Sequence, residues 1–401
     1  MLSRILVALV LLGLLVPPAW ADDVPSPEPD DRGPDALHEG EGGFDSRETL
    51  VGDLEHATHE NAEEAPRGFG DSWLLLPLVA YTPETSVFAA LFGSMWWKPD
   101  DTSQIDEVCS WGAAVLYTWK QQFVAGQELD LHFDQGVWQF SHAVGYSDYV
   151  DEWYGIGGQN DGRAETFDYT EVLIEHSVRR RIVPQVYVSL LQYLTWTRLD
   201  DVEDGGEFDT GVAPGSDIEV VSGPGIGFDW DTRDRQNNPR RGHLASAQLS
   251  LFAPAFGTSH SHGRIDLDLR GFIPAWRDHV VATQFFTRLQ PGEPGFSSQA
   301  EMGGKDLQRG IFEGRWRDRN LWVLQTEYRA PIVWRIGAVA FGGVGNVFDG
   351  SDTLFDGGLK WSVGGGLRFA LAPDEGVNLR FDYGRGAQGE GGFYISIREA
   401  F

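Results

Sequence analysis

Apolar and polar residues alternate along most of this chain with a period of two. In "GVNLRFDYG" (376–384) Val377, Leu379, Phe381 and Tyr383 share one face, and Asn378, Arg380 and Asp382 share the other. "KWSVGGGLRFAL" (360–371) sets Trp361, Val363, Leu367 and Phe369 against Ser362, Gly364, Gly366 and Arg368, and "GRIDLDLRGFI" (263–273) sets Ile265, Leu267 and Leu269 against Asp266, Asp268 and Arg270. Successive side chains of a strand point to opposite faces, so this is a strand pattern throughout. The pattern predicts sixteen strands, near 71–82, 85–97, 107–119, 121–133, 136–147, 164–178, 182–199, 217–231, 242–254, 262–274, 278–290, 320–331, 334–348, 359–371, 376–384 and 391–401. The first of these alternate least clearly, which leaves fourteen strands as the alternative.

Short and long connections also alternate. Ala330-Pro331-Ile332, Pro274-Ala275-Trp276 and the segment around Arg180 and Pro184 read as tight turns, whereas 148–163, 200–216, 291–319 and 349–358 are long. On the short side, 98–106 and 231–241 are longer than the rule prefers. Trp230, Trp276 and Trp334 fall near short turns, where an interfacial aromatic girdle belongs. A polar face built of Gly, Asp and Arg suits the inside of a closed cylinder better than a face in bulk water. The fold class is therefore all-β, a transmembrane antiparallel barrel. Closure is a physical necessity, because an open sheet edge in hydrocarbon leaves backbone groups without partners.

Composition and the N-terminus change the picture in one direction. "MLSRILVALVLLGLLVPPAWADD" has a basic start at Arg4, an apolar run from Ile5 to Val16 and a small-x-small stretch at Ala19-Trp20-Ala21. It reads as a signal peptide, residues 1–21, cut after Ala21, and the run is too short to span a bilayer. Mean hydropathy is −0.27, which alone suggests a water-soluble protein, but 50 Gly, 15 Trp, three Met and one Cys fit an exported barrel whose apolarity is hidden in alternation. Cys109 has no partner for an internal disulfide and reads as a small apolar strand residue. Residues 22–70 precede the barrel domain, 71–401; within 22–68 there are fifteen Asp and Glu against three Arg, with many Pro and Gly. Such a segment buries too little apolar surface to order itself and is expected to be disordered in the periplasm. His38, His56 and His59 within it read as polar filler, and no metal or cofactor is expected. The net charge of −29 argues against nucleic acid as a partner. His132, His142, His176 and His243 lie on different predicted strands without a nucleophile motif, so they read as lumenal polar residues and no catalytic set is assigned.

"MGGKDLQRGIFEGRWRDRN" (302–320) stands apart, with four Arg, four Gly and no regular period, in the longest outer connection. One reading is a solvated loop whose Arg residues meet anionic lipopolysaccharide. The other is a loop folded into the barrel, with Gly permitting a tight path and Arg pairing with a lumenal carboxylate.

These residues resemble the loop motif of the BamA/TamA-type outer-membrane assembly superfamily, also called the bacterial surface-antigen family. Gly303 and Gly304 match its Gly-Gly pair, and Arg309 and Gly310 match the Arg-Gly of its lumenal loop tip. Ile311 replaces the usual aromatic, with Phe312 one step later as the substitute. "DTRDRQNNPRRGHLASAQL" (231–249) resembles the family's turn, through Asp231, Arg233, Asp234, Pro239 and Gly242. "WYGIGG", "QTEYRAPI", "AFGGVGNVFD", "GGGLRF" and "LRFDYG" follow in the family's order, so the resemblance covers most of 150–401. It implies that Arg309 pairs with Glu327 on the inner wall. A second wall carboxylate is expected from a Phe-x-Asp-x-Gly stretch, but here Gly343 stands in place of the Asp. The final strand, with Phe393, Ile395, Ile397 and Phe401 on one face, resembles the terminal signal of outer-membrane barrels, Glu399 being its departure.

The resemblance implies outer-membrane protein assembly or translocation through a weak seam between first and last strands, where Pro77 lacks a ladder donor. Residues 22–70 are too short and polar for a POTRA domain, so the resemblance is to a barrel-only member. The implied partners are outer-membrane lipid and lipopolysaccharide, a periplasmic partner docking on residues 22–70, and client outer-membrane proteins. The alternative is a passive pore or structural barrel without assembly activity.

Overall fold

The computed structural model describes residues 72–97, 109–134, 136–159, 163–215, 218–235, 238–372 and 377–401. The expected signal peptide and acidic segment lie outside these residues.

Sixteen antiparallel strands, each hydrogen-bonded to its sequence neighbour, form one sheet that curls into a barrel. In chain order they are β1 (Ser72–Thr82), β2 (Ser86–Trp97), β3 (Cys109–Thr118), β4 (Phe123–Phe133), β5 (Trp138–Trp153), β6 (Glu165–Val183), β7 (Val186–Val202), β8 (Ile218–Asp231), β9 (Gly242–Phe252), β10 (His262–Pro274), β11 (Val280–Leu289), β14 (Asn320–Val333), β15 (Ile336–Phe348), β16 (Lys360–Ala372), β17 (Val377–Gly386) and β18 (Gly391–Ile397). Between β11 and β14 the long loop carries its own two-stranded ribbon, β12 (Ala300–Met302) and β13 (Trp316–Asp318). The fourteen-strand alternative is excluded.

The period-two faces sort as the chemistry requires over most of the barrel. On β14, Leu324 and Tyr328 are exposed outward, whereas Gln325, Glu327 and Arg329 are buried inside. The outward Leu190, Ile226, Leu249 and Leu269 stay exposed because their solvent is lipid. Trp138, Trp230, Trp276 and Trp334 project outward along the short-turn end, and Arg180, Arg277 and Arg335 lie over three of those rings at 4.9, 4.2 and 5.7 Å.

Four features depart from the sequence reading. First, β5, β6 and β7 run to Trp153, Val183 and Val202, beyond the predicted 147, 178 and 199. At the outer end β5 and β7 carry Asp148, Glu152 and Asp200 opposite Asp168 of β6, so apolar alternation stops while the ladder continues above the membrane; the extension of β6, through Arg179, Arg180 and Arg181, lies at the short-turn end. Second, the β14–β15 turn falls at Trp334-Arg335, not at Ala330-Pro331-Ile332. A register irregularity between Pro331 and Val333 lets the proline stay in the strand. Third, His142 and His176 stand opposite each other on the outward row and stack at 4.7 Å, and His243 meets outward Trp230 at 4.3 Å. Only His132 of the four strand histidines matches the expected lumenal position.

The fourth departure explains why the early strands alternate poorly. Leu76, Leu78 and Ala80 of β1, Phe88, Ala90 and Phe92 of β2 and Ala114 and Leu116 of β3 all face inward, so these strands are apolar on both faces. A polar lumen holds for β8 to β17 and fails for β1 to β3.

Candidate functional site

The long loop enters the barrel and is held there from tip to base. Met302, Leu307, Ile311 and Trp316 form a dry cluster with inward Phe286, Leu321, Val323 and Val347. Each large apolar side chain withdrawn from water contributes about 1.5–3 kcal/mol toward ordering the loop, and the ion pairs and hydrogen bonds at its tip add to that. The solvated-loop reading therefore fails for this segment.

At the tip, the Arg309 guanidinium donates to two carboxylates, Glu327 of β14 and Asp382 of β17, and lies 3.8 Å over the ring of Phe341. All three charged groups are almost fully buried. Around them the charges alternate. Arg329 donates to Glu327 at 2.9 Å, Arg368 to Asp382 at 2.5 Å and to Glu399 at 2.7 Å, and Arg380 to Asp306 of the loop at 2.8 Å. Four guanidiniums thus face Glu327, Asp382, Glu399 and Asp306. This balance is what makes buried charge tolerable, since an unpaired ion inside costs several kcal/mol.

The missing aspartate at Gly343 is compensated from another strand. A Cβ at Gly343 would lie 3.5 Å from Gln308 Cγ, so the position does border the loop tip. The second carboxylate comes instead from Asp382, two strands further on, and the clasp keeps two anchors. The expectation of a single-carboxylate clasp is thereby corrected. Asp382 stands inward on β17 between Arg380 and Gly384, on the polar row that alternation already marks.

Backbone contacts fix the same tip. The Gln308 side chain donates to Lys360 O at 2.6 Å, and its N–H donates to Gln325 Oε1 at 3.2 Å. Gly310 has φ +102°, and a Cβ there would sit 2.5 Å from Arg385 N. Its N–H donates to Tyr394 Oη at 3.1 Å, tying the tip to β18. Ile311, not Phe312, takes the buried place after the Arg-Gly pair. Phe312 turns to Tyr154 at 6.2 Å and Lys120 at 5.7 Å. Gly303 and Gly304 lie at the loop's re-entry, their N–H groups donating to Leu307 O and Ile311 O.

The remaining loop arginines also pair within the protein. Arg315 meets Glu390 at 3.1 Å, Arg317 meets Glu301 at 3.0 Å and Arg319 meets Asp349 at 2.5 Å. At the outer rim the Glu313 N–H donates to the Glu84 carboxylate of the β1–β2 turn at 3.2 Å. Burial pushes the Glu84 carboxyl above the ordinary range. Burial first, then the neighbouring charges of Glu84 and Glu301, push Glu313 well above it.

On the opposite end, the β8–β9 connection closes on itself. Arg233 grips Asp231 with its backbone N–H at 3.0 Å and its guanidinium at 2.7 Å, and Asp234 accepts from the N–H groups of Arg240 and Arg241 at 2.9 and 3.2 Å. Pro239 precedes that pair, and Gly242 has φ +97°, where a Cβ would lie 2.1 Å from Thr232 O.

The ends of the sheet meet at a seam. Among the described residues no ladder pairs β1 with β18, and the strand order ends on these two. Inward Leu76, Leu78 and Ala80 of β1 belong to one cluster with Phe369, Leu379, Phe381 and Ile395, which lie on the outward row of β16 to β18. The two edges therefore overlap, with the last strands slipped inside the first. Tyr81 and Phe393 flank the overlap at 6.3 Å. Ile397 ends β18. Phe401, expected on the face of Phe393 and Ile395, lies beyond the strand instead. Arg398 has φ +68°, after which Ala400 and Phe401 pack on Phe272, Val280 and Ala282 across the barrel mouth. Arg329 donates to Phe401 O at 2.8 Å. Glu399 turns in with the tail to meet Arg368, which accounts for a carboxylate where an apolar residue is usual.

A model of the Omp85 superfamily domain matches residues 132–401. The chain belongs to the Omp85 superfamily. Its fold is similar to that of BamA from Haemophilus ducreyi lacking POTRA domains 1–3, with 14% identity and a TM-score of 0.57 over 80% of this chain and 69% of that one. CdiB from Escherichia coli aligns at 11% identity and TM-score 0.56, over 85% and 69% of the two chains. CdiB from Acinetobacter baumannii aligns at 12% and 0.52, over 81% of this chain and 59% of its own length. A comparison with curated proteins gives no match. As an Omp85 barrel, the chain resides in the bacterial outer membrane, with the short turns and the C-terminus on one side and the loop's entry on the other. Asp382, Arg368, Arg380, Gln308 and Tyr394 are the members of this Omp85 clasp that motif matching misses. Inward placement on alternating strands was the available signal for the four strand residues, whereas Gln308 is marked only by adjoining Arg309 in the loop.

Proposed function

We propose that this Omp85 barrel acts in outer-membrane protein assembly or translocation, by opening the seam between β1 and β18. The observation that carries the reading is the unladdered, overlapped junction of the two terminal strands. Every other neighbouring pair among the described residues is joined by a hydrogen-bonded ladder, so this junction is the cheapest place to part the cylinder. Tyr394 links the last strand to the loop tip, so the clasp and the seam form one mechanical unit. The role is mechanical, and no side chain is assigned a catalytic task.

A client would enter with an edge strand that pairs with β1 as β18 yields. The acidic segment 22–70 joins β1 on the short-turn side, where Arg180, Arg181, Arg240, Arg241, Arg277 and Arg335 gather, and we assign it the docking of a separate periplasmic partner. The loop seated in the lumen supports this reading over a passive pore. Depletion of the protein in its native cell, followed by quantification of other outer-membrane barrels, tests it. A selective fall in one or more of them is expected, and unchanged levels of all of them would refute the assembly role.

A further inference from the structure

Beyond the seam, the lumen holds a second feature that assembly does not use. The inserted loop leaves part of the lumen open. Between it and the inner wall of β1 to β7 lies a cavity of about 270 Å³. Its deep part is apolar, with Leu78, Phe88, Leu116, Val124, Leu173 and Ile395. Its outer end carries Glu84, Asp151, Glu301 and Glu313 against Lys305 and Arg317.

The polar end is not neutralised from within. Lys305 pairs with Asp306 at 2.8 Å and Arg317 with Glu301 at 3.0 Å, so both cations are already committed. Glu84 and Glu313 form no ion pair among the described residues; Lys120 and Lys305 act on them only at longer range. Burial and mutual repulsion favour a proton on this pair, and a bound cation would relieve the same repulsion. The apolar wall has the opposite need. Water in contact with it is poorly satisfied, because a water needs two to four polar partners.

We infer that this cavity binds a cationic amphiphile, with an ammonium-type head at Glu84 and Glu313 and a single aliphatic tail along Leu116, Val124 and Leu173. Volume sets the tail length. At roughly 30 Å³ per water-sized group, the space holds about nine such units. The head takes at least one of these, so affinity rises about fourfold for each methylene added to the tail and levels off near eight carbons. Charge sets the head: an alkanoate meets the carboxylates and is rejected.

The test uses the full mature chain in nanodiscs and a decylammonium probe with a photoreactive diazirine near its tail end. Saturable labelling of peptides containing Leu116, Val124 or Leu173 is expected, displaced by decylammonium at least tenfold better than by decanoate or decyl maltoside. Val124→Trp and, independently, Leu173→Trp fill the cavity from different strands and should abolish it, with heat-modifiable migration showing that each variant is folded. Glu84→Gln with Glu313→Gln should weaken ammonium binding at least tenfold. Labelling confined to outward residues such as Leu190 and Leu249, labelling that persists in both folded tryptophan variants, or equal competition by decanoate would each overturn the proposal. None of these results depends on an assembly activity.

Discussion

Asp382 of β17 accepts a hydrogen bond from Arg309, 73 residues earlier in the chain, and so replaces a carboxylate that Gly343 of β15 cannot supply. The contact joins the loop to the penultimate strand, beside the seam, whereas an anchor on β15 would hold it two strands further from the edge. Loop position and seam integrity are coupled more directly as a result.

Removing the guanidinium should loosen the loop without unfolding the barrel. In Arg309→Ala, Glu327 keeps Arg329 and Asp382 keeps Arg368, so neither carboxylate is orphaned. The expected cost is about 3 kcal/mol, the low end for breaking a buried ion pair. It is measured as an earlier loss of heat-modifiable migration and as new protease cleavage within 303–314. An unshifted transition would remove the clasp from the account.

Charge balance makes a second, sharper prediction. Asp382→Asn leaves four guanidiniums against three carboxylates, whereas Asp382→Asn combined with Arg309→Met restores parity. The double variant should be more stable than the sum of the two single losses, by on the order of 0.5–3 kcal/mol. Additive losses in chemical denaturation would show that the two residues do not share a network.

Gly310→Ala tests geometry without charge. Its φ of +102° and the 2.5 Å approach of a new Cβ to Arg385 N leave no place for a methyl unless the tip withdraws from β17. The variant should be destabilised by more than the roughly 1 kcal/mol of an ordinary backbone substitution. It should also weaken the Tyr394 contact, read as faster hydrogen exchange at the Gly310 amide. Wild-type exchange there would contradict the placement.

The outer rim should respond to pH through Glu84 and Glu313. Both carboxyls are raised in the folded protein, so above the ordinary glutamate value of 4.5 the folded state holds more protons than the unfolded one. Stability must then fall as pH rises through that interval. Melting between about pH 5 and pH 8 should show this decline. In Glu84→Gln/Glu313→Gln it should flatten; an identical slope in both proteins would exclude the pair as its source.

Much of this molecule is legible in its sequence because alternation is a local signal. Most barrel strands, β17 with Asp382 on its inner row among them, are found from period two. What escapes is non-local. The partner of Arg309 depends on which strand curls nearest the loop tip, and no local spacing encodes that. β1 to β3 read poorly because their inner face covers the outward face of β17 and β18 or lines the cavity, so Leu78 and Phe92 are apolar where a wet lumen would select polar residues. Phe401 is misplaced for a related reason: a terminal aromatic continues the alternation in sequence, while the backbone turns at Arg398 and carries it across the mouth.

The account rests on a barrel whose lumen is closed by its own cationic loop. Single-channel recording in a planar bilayer tests this most directly. Wild type should stay closed with brief flickers, and deletion of 303–314 should give a large, steady current. A large, steady current from the wild-type protein would contradict it.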